Sequence, residues 1–207
     1  MSYQNRVTLD GRIVVSSQRG TLMGNRGILH NDHQQLVRTS AQIAWIVCSL
    51  HAKDGSKRPL MEPGHYTPLF FLDEATALAA GHRPCAQCRR DAFNAFKQAW
   101  AKGQQLESVP LARQLDKVLS QERAPHARVT IADPTALPDG VMVQQVADST
   151  AWLLYQAHAR RWTFEGYQPA VPLAELTSPL EVLTPASTVA AIKAGYQPTL
   201  HTSAIAN

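Results

Sequence analysis

Residues 70–91 read FFLDEATALAAGHRPCAQCRRD, and two of the chain's three cysteines, Cys85 and Cys88, stand there as a Cys-x-x-Cys pair among Arg83, Arg89 and Arg90. Such a pair is a redox couple, half of a metal site, or a coincidence, and its neighbours discriminate between these. Asp73 can cap a helix over Glu74–Ala80, and Gly81 can end it. A redox pair opens a helix directly after a strand, whereas here a helix, a glycine stop and His82-Arg83-Pro84 come first, so the strand is in the wrong place. A tetrahedral metal site needs two more ligands. Cys48 and His51 in VCSLH (47–51) repeat the spacing, so Cys48, His51, Cys85 and Cys88 are expected to hold Zn²⁺ in a closed, structural Cys3His site. His65 and His82 are rivals for the imidazole position, His82 the weaker because it lies so near Cys85. The plainer alternative makes Cys48 a buried strand residue and His51 a surface histidine. For the two pairs to meet, the 33 residues between His51 and Cys85 must be folded rather than extended.

Outward from this stretch the chain alternates short strands and helices. VTLDGRIVV (7–15) alternates around an Asp-Gly turn and predicts a strand or short hairpin. Residues 18–33 are polar and glycine-punctuated, 36–48 predict a strand with a short helix competing, and 52–68 predict a long loop. Phe93, Phe96 and Trp100 recur at helical spacing, as a core face does. LARQLDKVLSQER (111–123) predicts a second helix. Residues 129–183 carry short apolar runs between Pro and Asp-Gly turns, which predicts a small antiparallel β unit. A C-terminal helix follows, with Pro185 in its first turn and Gly195 closing it. No linker or low-complexity run interrupts the chain. The expected fold class is therefore α+β, a single domain over 1–207. Its parts are a small zinc-stabilised α/β module (41–103), the β unit (129–183) and a C-terminal helix and tail (184–207).

At 44% hydrophobic and 17% charged residues the composition is that of a globular protein, which excludes disordered and fibrous classes. No apolar run approaches the roughly 18 residues of a membrane span. The start, MSYQNRVTLDGRIVV, lacks a basic-then-apolar signal, and three cysteines make no disulfide framework. A cytoplasmic protein with reduced thiols and no membrane partner is expected. Net charge is +4, with fourteen arginines to six lysines. Arginine's planar fork suits phosphate and stacks on bases. Its clusters in SQRGTLMGNRG, CRRD and HARRW favour a polyanion as partner, without a nucleotide cofactor. The expected contacts are Arg19, Arg26, Arg83, Arg89, Arg90, Arg160 and Arg161. A charge of +4 is modest and fits a mildly basic soluble protein equally well.

The 70–91 stretch resembles the second half of the N-terminal zinc module of the Ada family of DNA methyl-repair proteins. Phe70 and Phe71 match its paired aromatics, and Gly81, Arg83, Pro84, Cys85 and Cys88 match its Gly-aromatic-Arg-Pro-Cys-x-x-Cys motif. AQIAWIVCSLH (41–51) corresponds to the strand carrying that module's first two ligands, so the resemblance covers about residues 41–100. It implies zinc, a basic DNA-binding surface and, carried over to this chain, Cys48 as acceptor of a methyl group from a phosphotriester. The family has Cys-x-x-x-Cys where this chain has Cys48-x-x-His51 and a longer insert, and the family's Pro-Cys-His-Arg acceptor motif is absent. Three thiolates and an imidazole leave the site less negative than four thiolates, which makes each sulfur a poorer nucleophile and a better structural ligand.

If zinc is structural, chemistry must sit elsewhere. GTLMGNRGILHNDH (20–33) is the densest polar constellation, with Asn25 and Arg26 between glycines and His30, Asn31, Asp32 and His33 following. An amide, an imidazole and a carboxylate can orient or deprotonate water, so Asn25, His30 and Asp32 are the candidate catalytic residues. A turn whose polar groups cap its own backbone is the plainer reading. Trp152, Tyr155, Trp162, Phe164 and Tyr167, beside Arg160 and Arg161, can stack a flipped base but more often fill a sheet core. The resulting expectation is a DNA-binding zinc protein acting on damaged or modified DNA, best read as a DNA glycosylase that excises a modified base. The alternatives are a non-catalytic DNA-binding or sensing protein, and a phosphotriester methyl acceptor through Cys48.

Overall fold

The computed structural model describes residues 2–51, 55 and 60–206. In the N-terminal half, six strands form one sheet: β1 Gln4–Val7, β2 Ile13–Val15, β3 Leu22–Asn25, β4 Ile46–Cys48, β5 Leu69–Phe71 and β6 Arg83–Pro84. Their order is β2-β1-β5-β3-β4-β6, antiparallel except for the parallel β1–β5 and β4–β6 pairs. β1 and β2 are the hairpin expected around the Asp-Gly turn, where Gly11 takes a φ of +88°. The strand expected over 36–48 is confined to β4. Residues 37–43 are mostly exposed and lie outside the strands, tied to the chain before them by single backbone bonds such as Val37 N–H to Leu29 O and Ala41 N–H to Arg26 O, both 2.9 Å. In the segment read as a glycine-rich loop, β3 is a strand instead. Gly24 serves close approach there, since a Cβ would lie 2.4 Å from the Phe71 ring.

β5 leads into α1 (Glu74–Ala79), whose N-cap Asp73 accepts from the Thr76 N–H at 2.9 Å, and Gly81 leaves it at φ +80°. All six residues of α1 are buried. Its alanines explain how: small side chains let layers approach on every side. Ala77 and Ala80 pack with Val7, Val47 and Phe71 of the first sheet. Ala75 and Ala79 pack with Met142, Leu153 and Tyr167, and Leu78 joins the core of the helical layer. That layer comprises α2 (Arg90–Gly103), α3 (Ala112–Glu122) and α4 (Ala186–Lys193). The helically spaced Phe93, Phe96 and Trp100 are indeed buried, Phe96 and Trp100 in that core.

The expected antiparallel β unit is the second sheet: β7 Thr130–Ile131, β8 Met142–Gln145, β9 Ala151–Tyr155, β10 His158–Thr163, β11 Gly166–Pro172 and β12 Leu180–Val182, ordered β11-β10-β9-β8-β12-β7. Of its aromatics Tyr167 is buried, and Trp152, Tyr155 and Trp162 are half-buried against the core. Trp152 donates to Gln145 Oε1 at 2.7 Å, Trp162 to Thr76 Oγ1 at 3.2 Å and Tyr167 to Asp73 Oδ2 at 2.9 Å. The helices and two sheets are those of an α+β chain. A last short helix, α5 (Thr202–Ile205), docks on β11, and the segment before it is pinned to α1. Glu74 accepts from Tyr196 and the Thr199 N–H, and Asp73 from the His201 N–H. Among the described residues no helix is long and apolar enough to cross a membrane.

Candidate metal centre

The parallel pairing of β4 with β6 aligns Ile46 with Arg83 and Val47 with Pro84, and the Cys85 N–H continues it to Val47 O at 2.9 Å. Cys48 and Cys85 are thereby neighbours, although 37 positions apart in sequence. From Cys85 the chain turns tightly. The Gln87 N–H donates to Cys85 Sγ at 3.4 Å and the Arg89 N–H to Cys85 O at 3.1 Å, and α2 starts at Arg90. The turn returns Cys88 to the same place, so that the three sulfurs lie within 4.8 Å of one another. Zinc–sulfur bonds of 2.3 Å in a tetrahedron separate sulfurs by about 3.8 Å, so this trio is spaced for a common ion. The intervening chain is folded, as the two pairs require: β5 and α1 lie within it.

Cys48 and Cys85 are buried and Cys88 half-buried, with Met23, Ile46, Leu50, Tyr66 and Phe70 packed around them. In this apolar setting the thiols cannot ionise independently. Hydrogen bonds to Cys85 and Cys88, then burial, push the Cys48 thiol far up, while those from Cys48 and Cys88 hold Cys85 far down. A divalent ion would supply the charge that lets all three become ligands. The donor set therefore fits a thiophilic metal.

The imidazoles proposed for the fourth place are less close. His51 is exposed and outside the trio. His65 is exposed beside Glu62 and Pro63. His82 is fully buried and committed elsewhere. Its Nε2 accepts from Arg26 Nε at 3.1 Å, which leaves Nδ1–H to donate to Ala77 O at 3.2 Å.

The other candidate residues are dispersed in role. Asn25 ends β3, and its Oδ1 accepts from the Gly27 N–H at 2.8 Å, a turn-capping contact. His30 is buried, with Nδ1 2.6 Å from Thr67 Oγ1 and Nε2 3.2 Å from Glu62 O. Asp32 is exposed in the following turn. Of the seven arginines, Arg19, Arg90 and Arg161 are exposed, and Arg160 and Arg26 are buried. Arg83 forms a two-point buried pair with Asp116 at 2.7 and 2.8 Å. Arg89 pairs with buried Glu74 at 2.8 Å. These last two are internal counter-ions; motif position alone did not distinguish them from Arg90.

Beside the cysteines is a cleft of about 400 Å³, lined by Tyr3, Asn5, Arg6, Arg19, Leu50 and Phe70 among others. Leu50 and Phe70 are shared with the packing around the sulfurs, and the Arg6 guanidinium sits 4.9 Å from the Phe70 ring centroid. Arg6 carries no local sequence signal, because β1 places it against Phe70 of β5, 64 positions later, and Tyr3 immediately precedes that strand. No family model, curated protein or solved structure matches the chain.

Proposed function

We propose that this is a zinc-thiolate protein that binds DNA through the cleft beside its three cysteines. The observation that carries the reading is the cleft's lining: exposed Arg19 and half-buried Arg6 beside Phe70 and Tyr3, backed by the cysteine trio. Cations that follow a phosphate backbone, interleaved with aromatics on which bases stack, are what single-stranded or splayed nucleic acid needs. Cys48, Cys85 and Cys88 would hold Zn²⁺, with His51 or water completing its coordination, and the ion would supply folding energy to the β4–β6 junction. Arg19, Arg90 and Arg161 carry the electrostatic part of binding.

The test combines metal analysis with binding measured against salt. The parent should contain one zinc per chain, and Cys85→Ser should lose it. Arg19→Ala should flatten the log–log salt dependence by about 0.9 per phosphate contact removed. Zinc-free parent protein, or unchanged DNA affinity and slope in Arg19→Ala together with Arg6→Ala, refutes the reading.

Hydrolytic removal of a modified base is the second reading. It is favoured by the cleft's volume, which falls in the range of pockets that enclose a small ligand. Incubation with a panel of modified duplexes, scored for abasic sites, separates a glycosylase from a binding protein.

A further inference from the structure

Between the first sheet and the α3–β12 side of the molecule lies a second cavity, of about 200 Å³, with Gly11, Arg26, Trp45, Ala80 and Arg123 in its wall. Arg26 is wholly buried. Its guanidinium lies 3.5 Å from the Trp45 ring centroid, and that of Arg123 lies 4.2 Å from the same ring. Arg26 donates from Nε to His82 and from Nη1 to Gly11 O at 2.9 Å, but its buried Nη2 has no acceptor. Arg123 donates to Gly81 O at 3.1 Å and Ile43 O at 2.9 Å. Neither has a carboxylate in salt-bridge range among the described residues.

The remaining charges of the wall are occupied. Asp10 pairs with Arg12 at 2.6 Å, and Arg128 with Glu181 at 3.1 Å. Glu122 accepts from the N–H and hydroxyl of Ser187, and burial pushes its carboxyl up. Four guanidiniums (Arg12, Arg26, Arg123, Arg128) and two carboxylates (Asp10, Glu122) line the cavity, and Glu181 outside the wall pairs with Arg128. One positive charge is in excess, and two when Glu122 holds its proton. His82 cannot offset this. It is the acceptor for Arg26, and burial with the nearby Arg26 and Arg123 charges keeps it neutral. Burial and the charge of Arg123 also pull the Arg26 guanidinium down to about 9, the mark of a cation lacking its counter-charge.

We infer that this cavity is a phosphate-binding site, taking the terminal phosphate of a phosphomonoester between Arg26 and Arg123. A phosphomonoester carries one to two negative charges at neutral pH, as the excess requires, and guanidinium forks suit its oxygens. The volume admits a phosphate and a few attached atoms, below the roughly 300 Å³ at which pockets for whole drug-sized ligands begin. The phosphate could belong to a small metabolite or to the end of a nucleic-acid strand. The site is separate from the cleft beside the cysteines and does not depend on the DNA reading.

Titration calorimetry of the full chain with inorganic phosphate, and with a short oligonucleotide carrying or lacking a 5′-phosphate, tests it. Saturable binding of one phosphate per chain is expected, weakened at least tenfold in Arg123→Gln and in Arg26→Gln. It should be unchanged in Arg113→Gln, which removes an exposed charge of α3 outside the cavity. Phosphate should alter tryptophan emission in the parent and not in Trp45→Phe. If Arg26→Gln does not fold, Arg123→Gln and Trp45→Phe still decide. Competition between the 5′-phosphorylated oligonucleotide and inorganic phosphate supports the site with a strand end as occupant. Binding of inorganic phosphate alone supports it with a small phosphomonoester. No saturable binding to the parent at about 10 mM phosphate, or equal binding by Arg123→Gln and Arg113→Gln, overturns it.

Discussion

Replacing Asp116 by Asn removes one charge from the pair that locks β6 to α3. Both side chains are almost fully enclosed, 6% exposed for Arg83 and 7% for Asp116, and both guanidinium contacts are short. The loss therefore leaves Arg83 charged, buried and without a counter-ion, a change that typically costs about 3–5 kcal/mol. Against a total stability of about 5–15 kcal/mol this is large. In a chain of this size each kcal/mol moves the midpoint about 2–4 °C, so Tm should fall by about 6–20 °C. Arg83 lies two residues before Cys85, and its Nη1 also donates to Pro84 O at 3.2 Å, so the loss falls on the segment that presents the sulfurs. Zinc affinity should drop with stability, because metal binding and folding share one free energy. Thermal and urea unfolding, followed by far-UV circular dichroism with and without zinc, reads both effects. The double variant Arg83→Met with Asp116→Leu should recover most of the loss, since a buried ion pair is often replaceable by apolar groups of similar volume. A cost below about 1 kcal/mol for Asp116→Asn, or a double variant no better than the single, refutes the reasoning.

Gly24→Ala should destabilise by about 1–3 kcal/mol, measured by urea unfolding, because the added methyl must displace the Phe71 ring. Burial, the largest effect, raises the Asp73 carboxyl above its ordinary value against the hydrogen bonds from Thr76, His201 and Tyr167. The folded chain holds that proton more tightly than the unfolded one, so the contribution is complete below the unfolded carboxyl pKa of about 3.9 and is lost as pH rises through the folded value. Asp73→Asn should remove that part of the stability–pH slope. His30→Ala should cost about 1–3 kcal/mol by leaving the buried Thr67 hydroxyl short of a partner, whereas Asp32→Ala, on the surface, should stay within about 0.5 kcal/mol, both read by thermal unfolding.

What could be read from the chain beforehand was local. The Asp73 cap, the Gly81 stop, the aromatic spacing of α2 and the Cys-x-x-Cys turn are each written within a few residues, and each is found where those residues place it. The first cysteine of the trio was legible because Cys48 repeats the spacing of the pair. The fates of Arg83 and Arg89 were not, because their partners Asp116 and Glu74 lie 33 and 15 positions away and only the fold introduces them. His82 was no more legible. Its nearness to Cys85 in sequence already made it the weaker rival ligand, but nothing in the sequence showed its actual task, accepting from Arg26. Loop chemistry was the least legible level. Asn25, His30 and Asp32 are close in sequence, yet two of them hold the backbone and the third faces solvent.

The complete enclosure of α1 has a consequence for dissection of the chain. Because one face of this short helix closes the first sheet, another closes the second and Leu78 closes the helical layer, cutting on either side of it opens three interiors at once. A fragment ending after α2 would keep the cysteines but leave Ala75, Ala79 and Leu72 without Met142, Leu153 and Tyr167 to cover them. A fragment beginning after α2 would lose the residues that seal its own sheet. The cysteine-bearing stretch is thus a keystone rather than a cassette: neither half keeps a closed interior without it.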